Sequence, residues 1–138
     1  MRYLGIDYGT VRIGISISDT TNTIATSIGT IKNNEKLLDN IFSLIDKFEI
    51  SKIILGNPLN MDGSFSKKSE EVLKLKKEIE NNFNIEVILQ DERLTTVISE
   101  KVLIESNMRR NKRKKVIDSM ASSLILQAYL DKEKQNEK

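Results

Sequence analysis

Residues 3–19, YLGIDYGTVRIGISISD, decide the fold that the rest of the chain completes. A short apolar run from Tyr3 stops at Asp7, and Gly9 then breaks it. From Ile13 onward, isoleucines alternate with smaller residues. This pattern on both sides of a tight turn predicts the two strands of a β-hairpin. A carboxylate at the end of a central apolar strand is costly without a cation or hydrogen bonds, so Asp7 is either a turn residue or part of a functional site.

The length and composition of the chain predict one globular domain. The chain has 138 residues, of which 38% are hydrophobic and 30% charged, and this length buries a sizeable core without staples. No apolar run approaches the roughly 20 residues that cross a bilayer. The N-terminus does not resemble a signal peptide. We therefore expect a cytoplasmic protein without a membrane partner, with one domain over residues 1–131 and a frayed, charged tail over 132–138.

The absence of two residue types limits the chemistry. The chain contains no Cys and no His. Disulfides, thiolate nucleophiles and zinc–thiolate sites are therefore excluded. Histidine, the commonest general base and transition-metal ligand, is missing as well. Any catalysis must rest on the remaining polar groups, above all carboxylates, together with a metal that prefers oxygen ligands.

One segment carries most of the positive charge. Six basic residues lie within seven positions, and subtracting them from the net charge of +2 leaves −4 for the rest of the chain. Such a run is either a solvated, mobile loop or a contact for a phosphate backbone. Because only 5% of the residues are aromatic, a base-stacking platform is not evident, and backbone recognition is favoured. The six residues are Arg109, Arg110, Lys112, Arg113, Lys114 and Lys115.

Periodicity predicts the remaining elements. A third strand lies within 23–31, further strands cover 52–55 and 85–90, and helices cover about 38–48, 67–83 and 95–106. Asn33 or Asn34 is expected to cap the first helix. This order predicts an α/β fold whose five-stranded mixed sheet combines an antiparallel three-strand meander with two parallel strands, with helices on both faces. A last helix is expected to bury a stripe formed by Ile117, Met120, Ala121, Leu124 and Ala128.

Carboxylates mark the ends of these elements. Asp7, Asp91 and Glu92 end two strands, and Asp118 falls in the predicted first turn of the last helix. Sites in open α/β sheets lie at the carboxyl ends of the strands. Converging carboxylates need a cation, and two Mg²⁺ or Mn²⁺ ions about 3.5–4 Å apart would support phosphodiester hydrolysis. Taken singly, Asp118 is explained by the helix dipole, and the Asp91–Glu92 pair by a solvated turn with Arg93.

Strand alternation separates Asp91 from Glu92 without choosing between them. Val87 and Leu89 share a face that continues through Asp91, whereas Glu92 continues the opposite face. Glu92 has the longer reach from a strand end, and Asp91 is well placed to orient Arg93. We therefore favour Glu92 as the metal ligand and keep Asp91 as the alternative.

Four separated motifs follow one another along the chain: GIDYG with Arg12 and Gly14, GNPLNMDGS (56–64), DERLTT (91–96), and Asp118 through Ile125, Leu126 and Gln127. Together they resemble the YqgF family, which comprises pre-16S rRNA nucleases similar to Holliday junction resolvases. The resemblance implies a ribonuclease-H-like fold, with Asp7, Asp91 or Glu92, and Asp118 as metal-binding catalytic positions. Arg12 and Arg93 lie in two of these motifs and are candidate nucleic-acid contacts. The chain departs from the family pattern at Asn57, where an apolar residue is usual, and at Ser122 and Ser123, where alanine is common.

The implied function is metal-dependent cleavage of nucleic acid. The resemblance predicts a Mg²⁺- or Mn²⁺-dependent nuclease that acts on an rRNA precursor in ribosome biogenesis or on branched DNA in recombination and repair. The protein would be a monomer or a homodimer. One alternative is a non-catalytic nucleic-acid-binding subunit. The other is an ATP-binding domain of the actin or sugar-kinase type, whose first phosphate motif resembles residues 5–10, although that fold needs two such units.

Overall fold

The computed structural model describes residues 1–58, 62–64, 66–91 and 110–136. It contains a five-stranded sheet in the order β3-β2-β1-β4-β5. Strand β2 is antiparallel to β1 and β3, whereas β1, β4 and β5 run parallel. The predicted mixed sheet is thus confirmed. The strands are β1 (Arg2–Asp7), β2 (Arg12–Ser18), β3 (Ala25–Lys32), β4 (Ile50–Asn57) and β5 (Glu86–Asp91).

Helices cover both faces of the sheet, as predicted. Helices α1 (Leu37–Phe48) and α2 (Lys67–Asn82) pack on one face, and α3 (Arg110–Asn136) packs on the other. Side chains alternate along the strands. Leu4 and Ile6 therefore belong to the core under α1 and α2, whereas Tyr3 packs with α3. No helix in the described ranges is long and apolar enough to cross a bilayer.

The start of α1 differs from the prediction. Its N-cap is Lys36, which makes no side-chain capping bond. Asn34 instead accepts a hydrogen bond from the Lys36 amide at 3.0 Å. Asn33 joins two turns, because its side chain donates to the Gly9 carbonyl at 2.9 Å and its amide donates to the Val11 carbonyl at 3.0 Å. The asparagines shape the loop before the helix instead of capping it.

One large apolar residue of α1 lies outside the core. Ile41 is fully buried, but Phe42 is 55% exposed. Phe42 stacks on Phe83, which follows α2, with ring centroids 5.6 Å apart. The pair bridges the outer sides of α1 and α2.

Helix α3 is longer than predicted at both ends. The basic residues from Arg110 to Lys115 lie within the helix and do not form a loop before it. At the other end the helix reaches Asn136, within the segment 132–138 that was predicted to be a frayed tail. Side chains hold this end: the Tyr3 hydroxyl donates to Glu133 Oε1 at 3.0 Å, and Lys134 Nζ donates to Thr23 Oγ1 at 2.9 Å.

The buried face of α3 also differs from the predicted stripe. Met120 is 36% exposed, and Leu124 is only partly buried. The prediction favoured the most apolar stripe, but α3 lies against Gly5 and Gly14 through Leu126 and Ser122. The predicted helix over 95–106 lies outside the described residues. Among the side chains of α3 that the structure describes, residues 120–134, the buried ones are Ser122, Ile125, Leu126 and Leu130.

Candidate active site

Asp7 ends the central strand β1 and is partly exposed. Its cross-strand partner is Gly14 of β2. A Cβ atom at position 14 would lie 3.5 Å from Asp7 Cβ and 3.4 Å from Ser122 Cβ. Asp7 and the α3 residue Ser122 therefore face the same small space above Gly14.

The contact between α3 and β1 fixes the direction of the helix. Next to Gly5, α3 presents Leu126 and the Ser122 carbonyl, and next to Gly14 it presents the Ser122 side chain. The Ser16 hydroxyl also donates to the Ser122 carbonyl at 2.8 Å. Because Gly14 pairs with Asp7, earlier residues of α3 lie toward the carboxyl end of β1. The helix thus runs antiparallel to β1.

This direction determines where Asp118 lies. The structure describes its backbone, which is one helical turn, about 6 Å, before Ser122. One turn in that direction leads to the edge of the sheet that Asp7 occupies. Asp118 also lies eight positions after Arg110, more than two turns into the helix and not in its first turn as predicted. Dipole stabilisation fades within the first turn, so it no longer explains a carboxylate at this position.

Contacts farther along α3 keep its register on the sheet. The Gln127 side chain accepts a hydrogen bond from the Ala25 amide and donates one to the Thr23 carbonyl, both at 2.9 Å. Lys52 Nζ lies 3.2 Å from the Tyr129 hydroxyl and 3.8 Å from the Glu133 carboxylate.

Neighbouring groups raise the pKa of Lys52. Burial alone would lower the pKa of Lys52, but the hydrogen bond with Tyr129 and the neighbouring charges outweigh it, so the pKa is raised. Sequence reasoning missed Lys52, because its partner Glu133 lay in the segment predicted to be frayed.

Ser122 carries an unusual polar atom. Its side chain is 1% exposed, and among the described residues its Oγ has no hydrogen-bond partner. A buried hydroxyl without a partner costs about 1–3 kcal/mol. This hydroxyl lies beside Asp7, at a position where the chain departs from the family pattern.

Asp91 ends β5 and pairs in register with Asn57 at the end of β4. Val87 and Leu89, which share its side of the strand, pack in the core under α1 and α2. Ile88 packs with α3 on the other side. Asp91 therefore projects to the face opposite Asp7, and its side chain is exposed. Asn57 is 7% exposed, and its Oδ1 has no hydrogen-bond partner within the described ranges.

Several predicted site residues lie beyond this geometry. Glu92, Arg93 and Arg109 fall outside the described residues. The other five residues of the basic run lie along the first turns of α3 as the structure describes it. Arg12 is exposed at the start of β2. It lies two positions along β2 from Gly14, the partner of Asp7.

The donor atoms at this edge suit a hard divalent cation. Asp7 contributes a carboxylate, and the Ser122 hydroxyl is a neutral oxygen with free capacity. Mg²⁺ and Mn²⁺ prefer oxygen ligands and bind through a small number of carboxylates. Within the described part of the chain, no three potential metal ligands converge. The side chains of Glu92 and Asp118 lie outside those described.

This combination defines a class of protein. The fold is the ribonuclease-H-like fold of junction resolvases. Its mixed sheet has the order β3-β2-β1-β4-β5, an acid ends the central strand, and the backbone of α3 leads a second acid toward the same edge. Solved structures share this fold. Thermus thermophilus RuvC bound to a Holliday junction matches with a TM-score of 0.55 and 10% identity over 91% of each chain. The fowlpox virus Holliday junction resolvase matches with a TM-score of 0.57 and 17% identity over 96% of this chain and 99% of that one.

Sequence relatives identify the family. A family model described as "RuvX: Holliday junction resolvase" matches residues 1–132. A protein named "Putative pre-16S rRNA nuclease" from Thermoanaerobacter pseudethanolicus is 44% identical over 97% of this chain and 99% of its own length. The Bacillus subtilis protein of the same name is 45% identical over 95% of this chain and 98% of its own. The chain belongs to the RuvX family, and the resemblance to YqgF nucleases predicted from the motifs is confirmed.

Proposed function

We propose that this protein is a divalent-metal-dependent nuclease that hydrolyses phosphodiester bonds in structured nucleic acid. Its candidate substrates are the 5′ end of a 16S rRNA precursor and a four-way DNA junction. The observation that carries the proposal is the register of α3 on β1. It brings Ser122 against Asp7 and leads the helix, through position 118, toward the carboxyl end of the sheet. Membership of a resolvase family supports the same conclusion.

Three acids are proposed to hold the metal. Asp7 ends β1, and Asp118 belongs to α3. Of the adjacent acids Asp91 and Glu92 we favour Glu92, because Asp91, the last residue of β5, projects to the face of α1 and α2, away from Asp7. Strand alternation extended by one position assigns position 92 to the α3 face. Two Mg²⁺ or Mn²⁺ ions at such a site would activate water and stabilise the charge on the leaving oxygen.

Basic residues are proposed to bind the nucleic acid. Arg12 and Arg93 are proposed to contact phosphates next to the acids, and the basic run from Arg109 to Lys115 is proposed to hold the flanking backbone. Five of these basic residues lie on α3, the helix that also carries Asp118. Substrate binding and acid placement would therefore share one rigid element. We propose a cytoplasmic protein that acts as a monomer on RNA or as a homodimer on a junction, since a junction requires two cuts.

Two alternatives compete with this proposal. A non-catalytic nucleic-acid-binding subunit has no use for three acids at one sheet edge. An ATP-binding domain of the actin type needs a second unit, whereas one family model covers residues 1–132. Stabilisation of the protein by Mn²⁺ or Mg²⁺, and not by ATP, is the expected result of a thermal unfolding assay.

The decisive experiment is Mn²⁺-dependent cleavage of a four-way DNA junction and of an extended 16S precursor by wild type and two variants. Asp7→Asn is expected to abolish cleavage and to retain nucleic-acid binding, because it removes an anionic ligand but no packing. Asp19→Asn is the matched control, since Asp19 follows β2 at the opposite edge of the sheet. Full activity of Asp7→Asn would refute the site. Cleavage of only one substrate by wild type would identify the substrate.

A further inference from the structure

A groove between β3 and α1 combines positive charge with neutral polar groups. Its volume is about 430 Å³, and Ile31 and Leu44 form part of its lining. None of its lining residues is acidic; Asp39 and Asp46 of α1 are not among them. Its polar lining consists of Lys32, Lys36, Lys47, Asn34, Asn40 and Ser43.

The α1 side of the groove is a continuous stripe. Lys36, Asn40, Ser43 and Lys47 follow one another at spacings of three or four residues, so they share one side of the helix. All four are exposed. A helix surface that carries lysines at both ends and an amide and a hydroxyl between them offers hydrogen-bond donors along its whole length.

The lysines are not neutralised by the protein itself. Among the described residues, no carboxylate lies within ion-pair distance of Lys32, Lys36 or Lys47. Lys47 Nζ lies 5.3 Å from the centre of the Phe48 ring, a contact that leaves its charge uncompensated. Such a cluster attracts a polyanion.

The groove begins at the edge of the sheet that carries the acids. Lys32 ends β3 and pairs with Arg12 of β2, two positions beyond the Gly14–Asp7 pair. By strand alternation, Arg12 and its partner Lys32 lie on the same face as Asp7, so a nucleic-acid strand that continues along α1 passes around β3, the edge strand of the sheet. Two strand spacings and two residue steps separate the Cα atoms of Asp7 and Lys32 by roughly 12 Å.

The two regions are also tied together. Asn33, next to Lys32, donates hydrogen bonds to the Gly9 and Val11 carbonyls in the turn that follows Asp7. These bonds hold the mouth of the groove in a fixed position relative to that turn.

We infer that this groove binds the phosphate backbone of the nucleic-acid strand that leaves the acidic site, so that the strand passes Arg12 and Lys32 and then follows α1. The inference extends the proposed nuclease function, and it adds a contact surface on the opposite side of the sheet from the basic run of α3. Recognition there is independent of sequence, because the groove offers charge and simple donors but no aromatic stacking surface.

The test compares two triple variants in salt titrations of binding to a short single-stranded RNA and to a four-way DNA junction. The first variant replaces Lys32, Lys36 and Lys47 with Gln. The control replaces Lys74, Lys77 and Lys132, which are exposed lysines outside the groove. The charge change is the same in both, and equal thermal midpoints to wild type establish that both are folded.

The groove variant is expected to reduce the slope of log K against log salt by about 2–3, since each of the three lost phosphate contacts lowers it by about 0.7–0.9. The control is expected to keep the wild-type slope. Equal slopes in the two variants, or a groove variant that changes only self-association of the protein, would overturn the inference. Wild-type cleavage of the same substrates is measured in parallel. If wild type cleaves the substrates but the two variants have equal slopes, only the groove inference is refuted. If the slopes of the two variants differ but wild type does not cleave, only the nuclease proposal is refuted.

Discussion

Replacing Gly5 with alanine tests the contact on which the proposed site depends. A Cβ atom at position 5 would collide with Ser16 Oγ, and it would lie 2.8 Å from Leu126 Cβ and 3.1 Å from the Ser122 carbonyl. Two of these neighbours belong to α3, and the Ser16 hydroxyl donates the hydrogen bond that ties α3 to the sheet. The helix must therefore move away from β1 to accommodate one methyl group.

The expected cost follows from these contacts. Overpacking of a well-packed core costs about 1–3 kcal/mol, and loss of the Ser16–Ser122 hydrogen bond adds about 0.5–1.5 kcal/mol. We expect Gly5→Ala to lower the free energy of unfolding by about 2–4 kcal/mol. With an unfolding entropy of about 2.1 cal/mol/K per residue, each kcal/mol corresponds to about 3–4 °C for a chain of this length. The thermal midpoint should thus fall by about 7–14 °C.

Gly14→Ala is the matched control for this prediction. It introduces the same methyl group against the same helix, but at ordinary contact distances of 3.4 and 3.5 Å from Ser122 and Asp7. We expect its free energy of unfolding to change by less than about 1 kcal/mol. Thermal unfolding followed by circular dichroism compares the two variants. If Gly5→Ala is as stable as Gly14→Ala, α3 does not lie against β1 as described, and the argument that brings position 118 to Asp7 fails.

Three further predictions probe individual side chains. Ser122→Ala is expected to stabilise the metal-free protein by about 1–2 kcal/mol, because it removes a buried hydroxyl without a partner; a lower thermal midpoint would contradict this. Glu92→Gln is expected to weaken Mn²⁺ binding, measured by calorimetry, more than Asp91→Asn does, and the reverse order would reassign the ligand. Hydrogen bonds, chiefly from Thr21, lower the pKa of Asp19 from 3.8 to about 2. The stability that this carboxylate provides is therefore complete above about pH 4 and is lost as the pH falls through 2. An NMR titration of Asp19 is expected to show this pKa, and Thr21→Ala is expected to raise it.

The sheet was predictable from the sequence because its signals are local. Alternating isoleucines from Ile13 onward and short apolar runs ending in Gly56 or Asp91 identify strands without knowledge of their neighbours. Their order follows from the rules for right-handed crossovers. The stretch from Tyr3 to Asp19 contains both the hairpin and the acid, so the carboxyl-end location of the candidate site was predictable too.

Helix α3 was harder to predict because its packing is decided by distant residues. Its buried face includes Ser122, a residue that hydropathy assigns to the surface. A small side chain is needed there, since the helix approaches the strands at Gly5 and Gly14, more than 100 positions earlier in the chain. The C-terminal turns are stabilised by Tyr3 and Lys52 through Glu133. The hydrophobic periodicity of α3 reveals neither the glycines against which the helix packs nor the side chains that stabilise its C-terminal turns.

Two of the three positions where this chain departs from the family pattern now have a structural meaning. Asn57 and Ser122 replace apolar or small residues, and each buries an oxygen that has no hydrogen-bond partner in the described ranges. Ser122 lies beside Asp7 on the α3 face, and Asn57 pairs with Asp91 across the last position of β4 and β5. Both buried oxygens without partners therefore lie at the acidic edge of the sheet, on opposite faces. Native proteins tolerate such local violations mainly where function requires polarity. This coincidence, together with the position of Asp7, favours a polar ligand site at that edge over a simple surface turn.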